Sequence, residues 1–152
     1  MVRDPYEARY VYVAESGVPR AGEGLMAKTG IRSGQVCSLF NGVRQHHDDS
    51  VGWSDYRIAC GEDMDLDIEQ DSTSVGRYRA TLAHKTQHSF SPNSHFAQFW
   101  HPRFGQIMSI VADRNIEQGE EIFVCYHFAM AKAPGWYQEL WFKSGAWRMW
   151  SG

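Results

Sequence analysis

His84-Lys85-Thr86-Gln87-His88-Ser89-Phe90-Ser91-Pro92, set beside Gly119-Glu120-Glu121-Ile122-Phe123-Val124-Cys125-Tyr126, decides how this chain is read. In the first stretch, Ser89-Phe90-Ser91-Pro92 ends any helix soon after it starts. The second runs out of a glycine turn into an apolar strand that stops at Tyr126. About one hairpin separates the two. His84 and His88 stand four apart, the spacing of helical metal ligands. No glutamate lies between them and the helix is cut short, so a zinc-hydrolase site is disfavoured. Structural or ligand-facing histidines fit better.

Outward from these segments the pattern is one of short strands. Phe96–His101 ends at Pro102-Arg103-Phe104-Gly105, a hairpin turn into Ile107–Ala112, and Asn115–Glu120 is a loop into Ile122–Tyr126. Upstream, Tyr10–Ala14 and Val36–Phe40 read as strands, the second followed by the turn signal Asn41-Gly42. Many short strands with frequent turns predict a mainly β fold. Met64–Glu69 alternates: Met64, Leu66 and Ile68 point one way, and Asp63, Asp65, Asp67 and Glu69 the other. The acidic side is either a solvated face that protects a sheet edge, the preferred reading, or a docking surface for a basic peptide. After Pro134-Gly135, the residues Trp136, Tyr137, Leu140 and Trp141 recur at helical spacing and predict a helix packed on the core. Trp147 and Trp150 continue the apolar character and either cap the core or line a peptide groove.

The 152 residues suit one domain, and the hydrophobic share of 43% supplies it with a core. A net charge of -3 does not suggest non-specific nucleic-acid binding, which leans on a basic surface. No run of eighteen apolar residues is present, and Met1–Pro5 lacks the apolar stretch of a signal peptide. Cys37, Cys60 and Cys125 are far apart and odd in number, so neither a disulfide framework nor a zinc knuckle fits. They read as small buried thiols in a reducing compartment, and no metal site is expected.

Few residues announce chemistry on their own. Ala21-Gly22-Glu23-Gly24-Leu25 is a glycine-spaced turn whose backbone can approach a ligand closely, but no βαβ unit follows and it is not a dinucleotide fingerprint. His46-His47 sits in a polar loop and reads as solvated. No G-x-S-x-G elbow is present. By residue type alone, Tyr126 is a core tyrosine.

Taken in order, Val11–Ser16, Ala21–Leu25, Asn41-Gly42-Val43-Arg44, His88-Ser89-Phe90, His101–Gly105 and Trp136-Tyr137-Gln138 resemble the SET-domain protein lysine methyltransferases, from about Tyr10 to about Leu140. The resemblance implies several short curved sheets around a C-terminal pseudoknot, built by the two segments above, with a C-terminal helix. It divides the chain into a lead-in at 1–9, a SET domain at 10–128 and a closing segment at 129–152. It also implies transfer of methyl groups from S-adenosylmethionine to a lysine of a protein or peptide, a histone tail or another substrate. No nucleic-acid or membrane partner is implied. A monomer in nucleus or cytoplasm is expected.

The resemblance also assigns roles. Tyr126 matches the central catalytic tyrosine. Ala21, Gly22, Glu23, Tyr56, Gln87, His88, Trp136 and Glu139 fall on cofactor-binding positions, with Trp136 against the adenine. Phe40, Phe96, Tyr126 and Phe128 fall on the lysine channel. Where a family relative has tyrosines, this chain has Phe40, Phe96 and Phe128, and it has Gln87 for an asparagine. Fewer hydroxyls leave more room for a methylated amine, which predicts di- and trimethylation. The alternative is a SET module that binds cofactor or peptide without efficient transfer.

Overall fold

The computed structural model describes residues 4–47, 56–68, 81–128, 130–145 and 148. A short helix α1 (Glu7–Tyr10) leads into β1 (Val11–Glu15), β2 (Glu23–Ala27), β3 (Val36–Phe40), β4 (Val43–His46), β5 (Ile58–Ala59) and β6 (Met64–Asp67). A 3-10 turn (Ala83–Lys85) precedes β7 (Gln87–His88), β8 (Ser94–His101), β9 (Gly105–Ala112) and β10 (Glu121–Val124); a second 3-10 turn (Met130–Lys132) then precedes α2 (Gly135–Ser144). The expected mainly β fold with a short C-terminal helix is what the chain adopts.

Three small sheets form, ordered β1-β2-β10-β7, β3-β9-β8 and β4-β6-β5. In the first, β10 lies between β2, which it pairs antiparallel (Ile122↔Leu25), and β7, which it pairs parallel (Phe123↔Gln87, Val124↔His88). The chain beyond β7 stays beside β10. Ser89 N–H donates to Val124 O at 2.9 Å. Asn93 donates to Glu121 O and accepts from Phe123 N–H, both at 2.9 Å, and Ser94 Oγ donates to Phe123 O at 2.7 Å. These side chains supply partners where the two-residue ladder stops, as buried backbone groups require. The two segments quoted at the outset are therefore one unit.

The β8–β9 hairpin follows the sequence reading, pairing Phe96↔Ile110 through His101↔Gly105. Its turn is tied by His101 Nδ1, which accepts from the N–H groups of Arg103 and Phe104 at 3.0 and 3.2 Å. Leu25, Ile122 and Val124 from the first sheet, Leu39, Ile107 and Ile110 from the second, and Leu66 from the third meet in one core. Each such side chain contributes about 1.5–3 kcal/mol on burial. Burial also pushes the Cys37 thiol up to about 12, which keeps it protonated and inert.

Three sequence expectations need correction. Asn41-Gly42 is not a hairpin turn: β3 and β4 belong to different sheets, and the chain switches between them there. Met64–Asp67 does not carry a solvated acidic face, nor is it an edge. It is the central strand of its sheet, Asp65 is buried beneath His47 Nδ1 at 3.0 Å, and Asp67 lies 3.6 Å from Arg57 Nε. His47 is accordingly paired rather than merely solvated, and Glu69 lies outside the described residues. The lead-in expected at 1–9 carries most of α1, and Asp4 Oδ1 accepts from the N–H groups of Tyr6 and Glu7 at 2.9 and 3.1 Å. Third, α2 buries no broad apolar face; Tyr137 is buried while Trp136 and Leu140 stay exposed. Trp147 and Trp150 lie outside the described residues. Among the described residues, no helix is long and apolar enough to cross a membrane, and no cluster of three metal-ligating side chains occurs.

Candidate active site

Beyond β10 the chain leaves its sheet through Cys125, Tyr126, His127 and Phe128. His127 takes φ 54°, a left-handed conformation that costs a non-glycine residue about 1–2 kcal/mol. The residues on both sides of it, Tyr126 and Phe128, line the same cavity, as does His127 itself. The cavity measures about 390 Å³, and its aromatic wall is built by Phe40, Tyr56, Phe96, Tyr126 and Phe128. Phe40 and Phe96 meet edge to face at 6.4 Å, and Tyr126 and Phe128 meet at 5.4 Å. All four residues expected in a lysine channel are thus brought together from β3, β8 and the exit of β10.

Tyr126 is held at both ends. Its phenol donates to the carbonyl oxygen of Thr86, and its backbone N–H donates to His88 Nδ1 at 3.0 Å. Thr86 is in turn set by its N–H, which bonds Ala83 O at 3.0 Å in the 3-10 turn. Since Nδ1 accepts, the proton of neutral His88 resides on Nε2. Burial, and then the charge of His127, hold His88 down at about 4. Nε2 is buried and meets no hydrogen-bond partner. Around the imidazole stand Phe90 at 4.3 Å, Tyr137 at 4.7 Å and Trp136 at 5.9 Å. Burial, followed by the neighbouring Cys125, pushes the Tyr137 phenol up to about 12, so it stays neutral.

On the other side of His88 lies the β1–β2 loop. Gly22 adopts φ 78°, which only glycine takes without strain, and no atom lies within 4 Å of where a Cβ would stand. Gln87 Nε2 donates to Ala21 O at 3.0 Å and Glu23 O at 2.6 Å, clamping the loop against β7. Lys85 Nζ adds an ion pair to Glu23 at 3.1 Å. Trp136, 45% exposed, stands 6.2 Å from Tyr126 and 6.3 Å from Phe128.

Gln87 thus joins Ala21 and Glu23 to β7, and the next residue, His88, joins β7 to Tyr126 and Trp136. Two further residues are expected at the cofactor, Tyr56 and Glu139. The Tyr56 ring lines the cavity, 5.9 Å from His84. Glu139 is exposed and pairs with Lys143 at 2.7 Å, which keeps its carboxyl below the usual range. Sequence reasoning missed Thr86, His127 and Met108, all in the cavity lining. Thr86 carried no signal, because its contribution is a main-chain carbonyl that every residue has.

Comparison with known proteins matches residues 22–127 to the SET domain. The histone-lysine N-methyltransferase SETD7 of Halocynthia roretzi is 37% identical over 150 residues, a span of 91% of this chain and 39% of that protein. The chain thus spans about two fifths of the length of this curated relative. A solved Plasmodium falciparum structure assigned as a histone methyltransferase has a TM-score of 0.58 at 18% identity, covering 82% of this chain and 98% of that one. At that identity the likeness concerns the fold alone.

Proposed function

The chain belongs to the SET-domain family, and from that premise we propose that it transfers methyl groups from S-adenosylmethionine to the side-chain nitrogen of a lysine in a protein substrate. The observation that carries this reading is the aromatic cavity that has both the Tyr126 phenol and Thr86 in its lining. A lysine side chain is an apolar stem with a polar tip. Phe40, Phe96 and Phe128 suit the stem, and the oxygens of Tyr126 and Thr86 suit the tip.

The residues beside Tyr126 fit a nucleoside cofactor. The open φ 78° position at Gly22 allows close main-chain approach, and the partnerless Nε2 of His88 is a buried donor awaiting an acceptor. The exposed Trp136 ring is free to stack on a base, worth about 1–3 kcal/mol in comparable contacts. Ala21, Gly22, Glu23, His88 and Trp136 would hold the cofactor, and Gln87 would act by fixing the loop. Bound there, S-adenosylmethionine supplies an electrophilic methyl group on a sulfonium.

The chain's own contribution is alignment and desolvation. A free lysine has a pKa of ~10.4, so presenting it neutral at pH 7.4 costs about 4 kcal/mol. Aromatic walls that exclude water disfavour the ammonium and lower that cost. The Tyr126 phenol donates its hydrogen bond to Thr86 O, which leaves its oxygen to accept from the neutral amine and to orient the methyl group by weak C–H···O contacts. With phenylalanine at 40, 96 and 128, those three positions of the wall offer the amine no hydroxyl, and di- and trimethyl-lysine are the products inferred.

The test is incubation with labelled S-adenosylmethionine and a panel of lysine peptides, followed by mass spectrometry at saturation. Transfer that proceeds beyond one methyl group supports the whole reading. Monomethyl product alone removes the inferred product state. S-adenosylhomocysteine binding without transfer to any peptide supports instead a module that binds and does not turn over.

A further inference from the structure

Glu7 lies on α1, outside the residues that match the SET domain, yet it is only 1% exposed. One carboxylate oxygen, Oε2, accepts three hydrogen bonds: from Ser38 Oγ at 2.7 Å, Leu39 N–H at 2.7 Å and Leu82 N–H at 3.1 Å. The donors come from two segments. Leu39 immediately precedes Phe40, and Leu82 immediately precedes Ala83 and His84; Phe40, Ala83 and His84 all line the cavity. β3 is an edge strand, so its outward backbone groups need partners other than a ladder. α1 supplies them: Glu7 takes the Leu39 N–H, and the Tyr6 hydroxyl donates to Val36 O at 2.7 Å.

We propose that Glu7 is a positioning residue whose carboxylate ties the Phe40 wall of the cavity to the Ala83–His84 wall, so that the spacing of the walls follows its charge state; the consequence for turnover rests on the methyltransferase reading. Ionised, Glu7 makes charge-assisted bonds about twice as strong as neutral ones. Protonated, it holds both walls more weakly.

The surroundings favour a switch between the two forms. Burial pushes the carboxyl up to about 7, against the pull of Leu39, Ser38 and Leu82, and the Asp4 charge pushes it the same way. Cys37, on β3, stays a neutral thiol. Asp4 is paired with His101 of β8 at 2.9 Å, and Lys28, just past β2, reaches Ala8 O at 3.3 Å. The folded state binds this proton more tightly than the unfolded chain. The stability it contributes is full below about 4.5 and is lost as pH rises through about 7. The clamp tightens around 7, at the upper end of the interval in which the fold gives up that stability.

The experiment compares the wild type with Glu7→Gln, an isosteric mimic of the protonated form. By NMR, the wild-type amides of Leu39 and Leu82 titrate together with a midpoint near 7, and the resonances of Phe40 and Ala83 move with them. In the variant all four stay still over that interval. The ratio of wild-type to variant kcat rises about threefold or more from pH 6 to 8, with the peptide KM changed less than kcat. A flat ratio, or amides that titrate while Phe40 and Ala83 do not move, overturns the proposal. Should the variant not fold, the wild-type titration alone still decides it. A wild type that methylates no peptide while the four resonances move together removes the methyltransferase reading and leaves the coupling of the walls standing.

Discussion

His88 Nδ1 accepts the backbone N–H of Tyr126 at 3.0 Å, so a side chain of β7 sets the direction in which the chain leaves β10. Parallel pairing brings the two segments side by side, and this bond turns Tyr126 out of the sheet toward Thr86. The imidazole must be neutral to accept.

That requirement has a pH consequence. His88 sits at about 4 in the fold, below the ~6.5 of an unperturbed histidine. The stability tied to it is therefore present above pH 6.5 and is lost as pH falls toward 4. Discounted for screening, the loss is roughly 1–2 kcal/mol. Glu7 contributes the opposite slope above 4.5, so the comparison is best made by variant. Urea midpoints measured from pH 7 to 4.5 are expected to fall less for His88→Gln, which keeps an acceptor, than for the wild type. Parallel curves would contradict the assignment.

Tyr126→Phe removes the phenol and leaves the ring. Turnover is expected to drop by roughly 100-fold or more, while calorimetric affinity for S-adenosylhomocysteine stays within about twofold. Thr86 O loses its donor, at a stability cost of about 1 kcal/mol. A variant that turns over like the wild type would separate Tyr126 from the chemistry.

Gln87 acts at a distance from the reaction. Its amide bonds both Ala21 O and Glu23 O, and Gln87→Ala frees the loop that presents Gly22. Affinity for S-adenosylhomocysteine should weaken by about five- to tenfold, equivalent to roughly 1–1.4 kcal/mol. Gln87→Asn, one methylene shorter, reaches one carbonyl less well and should fall between. Unchanged affinity in both would mean the loop holds its shape without the clamp.

Gly42 tests the switch between sheets. A Cβ there would lie 2.6 Å from Asp67 O and 3.1 Å from Asp67 N, both main-chain atoms that cannot swing aside. Gly42→Ala should cost about 1–3 kcal/mol, seen as a lowered Tm, and should disturb Phe40 two residues away. Gly30→Ala, where nothing lies within 4 Å, is the control expected to melt like the wild type.

Strands such as Val36–Phe40 and Phe96–His101 were readable because alternation and turn chemistry are local properties. The burial of Asp65 was not. Alternation separates the two faces of a strand without saying what covers each, and the cover here is His47 from 18 residues away. Tyr56 shows the same limit at the site, since nothing in its neighbours along the chain announces that its ring stands against His84 in the cavity wall. Glu7 gave no warning at all, since its three donors lie 31, 32 and 75 residues along the chain.

By itself the order of residues determined the family, the run of short strands and which aromatic side chains were available for a channel. Those follow from neighbours and spacing, which a linear string records. Tertiary structure alone decided that Tyr126 bonds Thr86, that His88 keeps an unmatched Nε2, and that a carboxylate on the first helix joins two walls of the cavity. Such relations arise where distant backbone groups, removed from water, must find partners, and only the folded chain shows which are within reach.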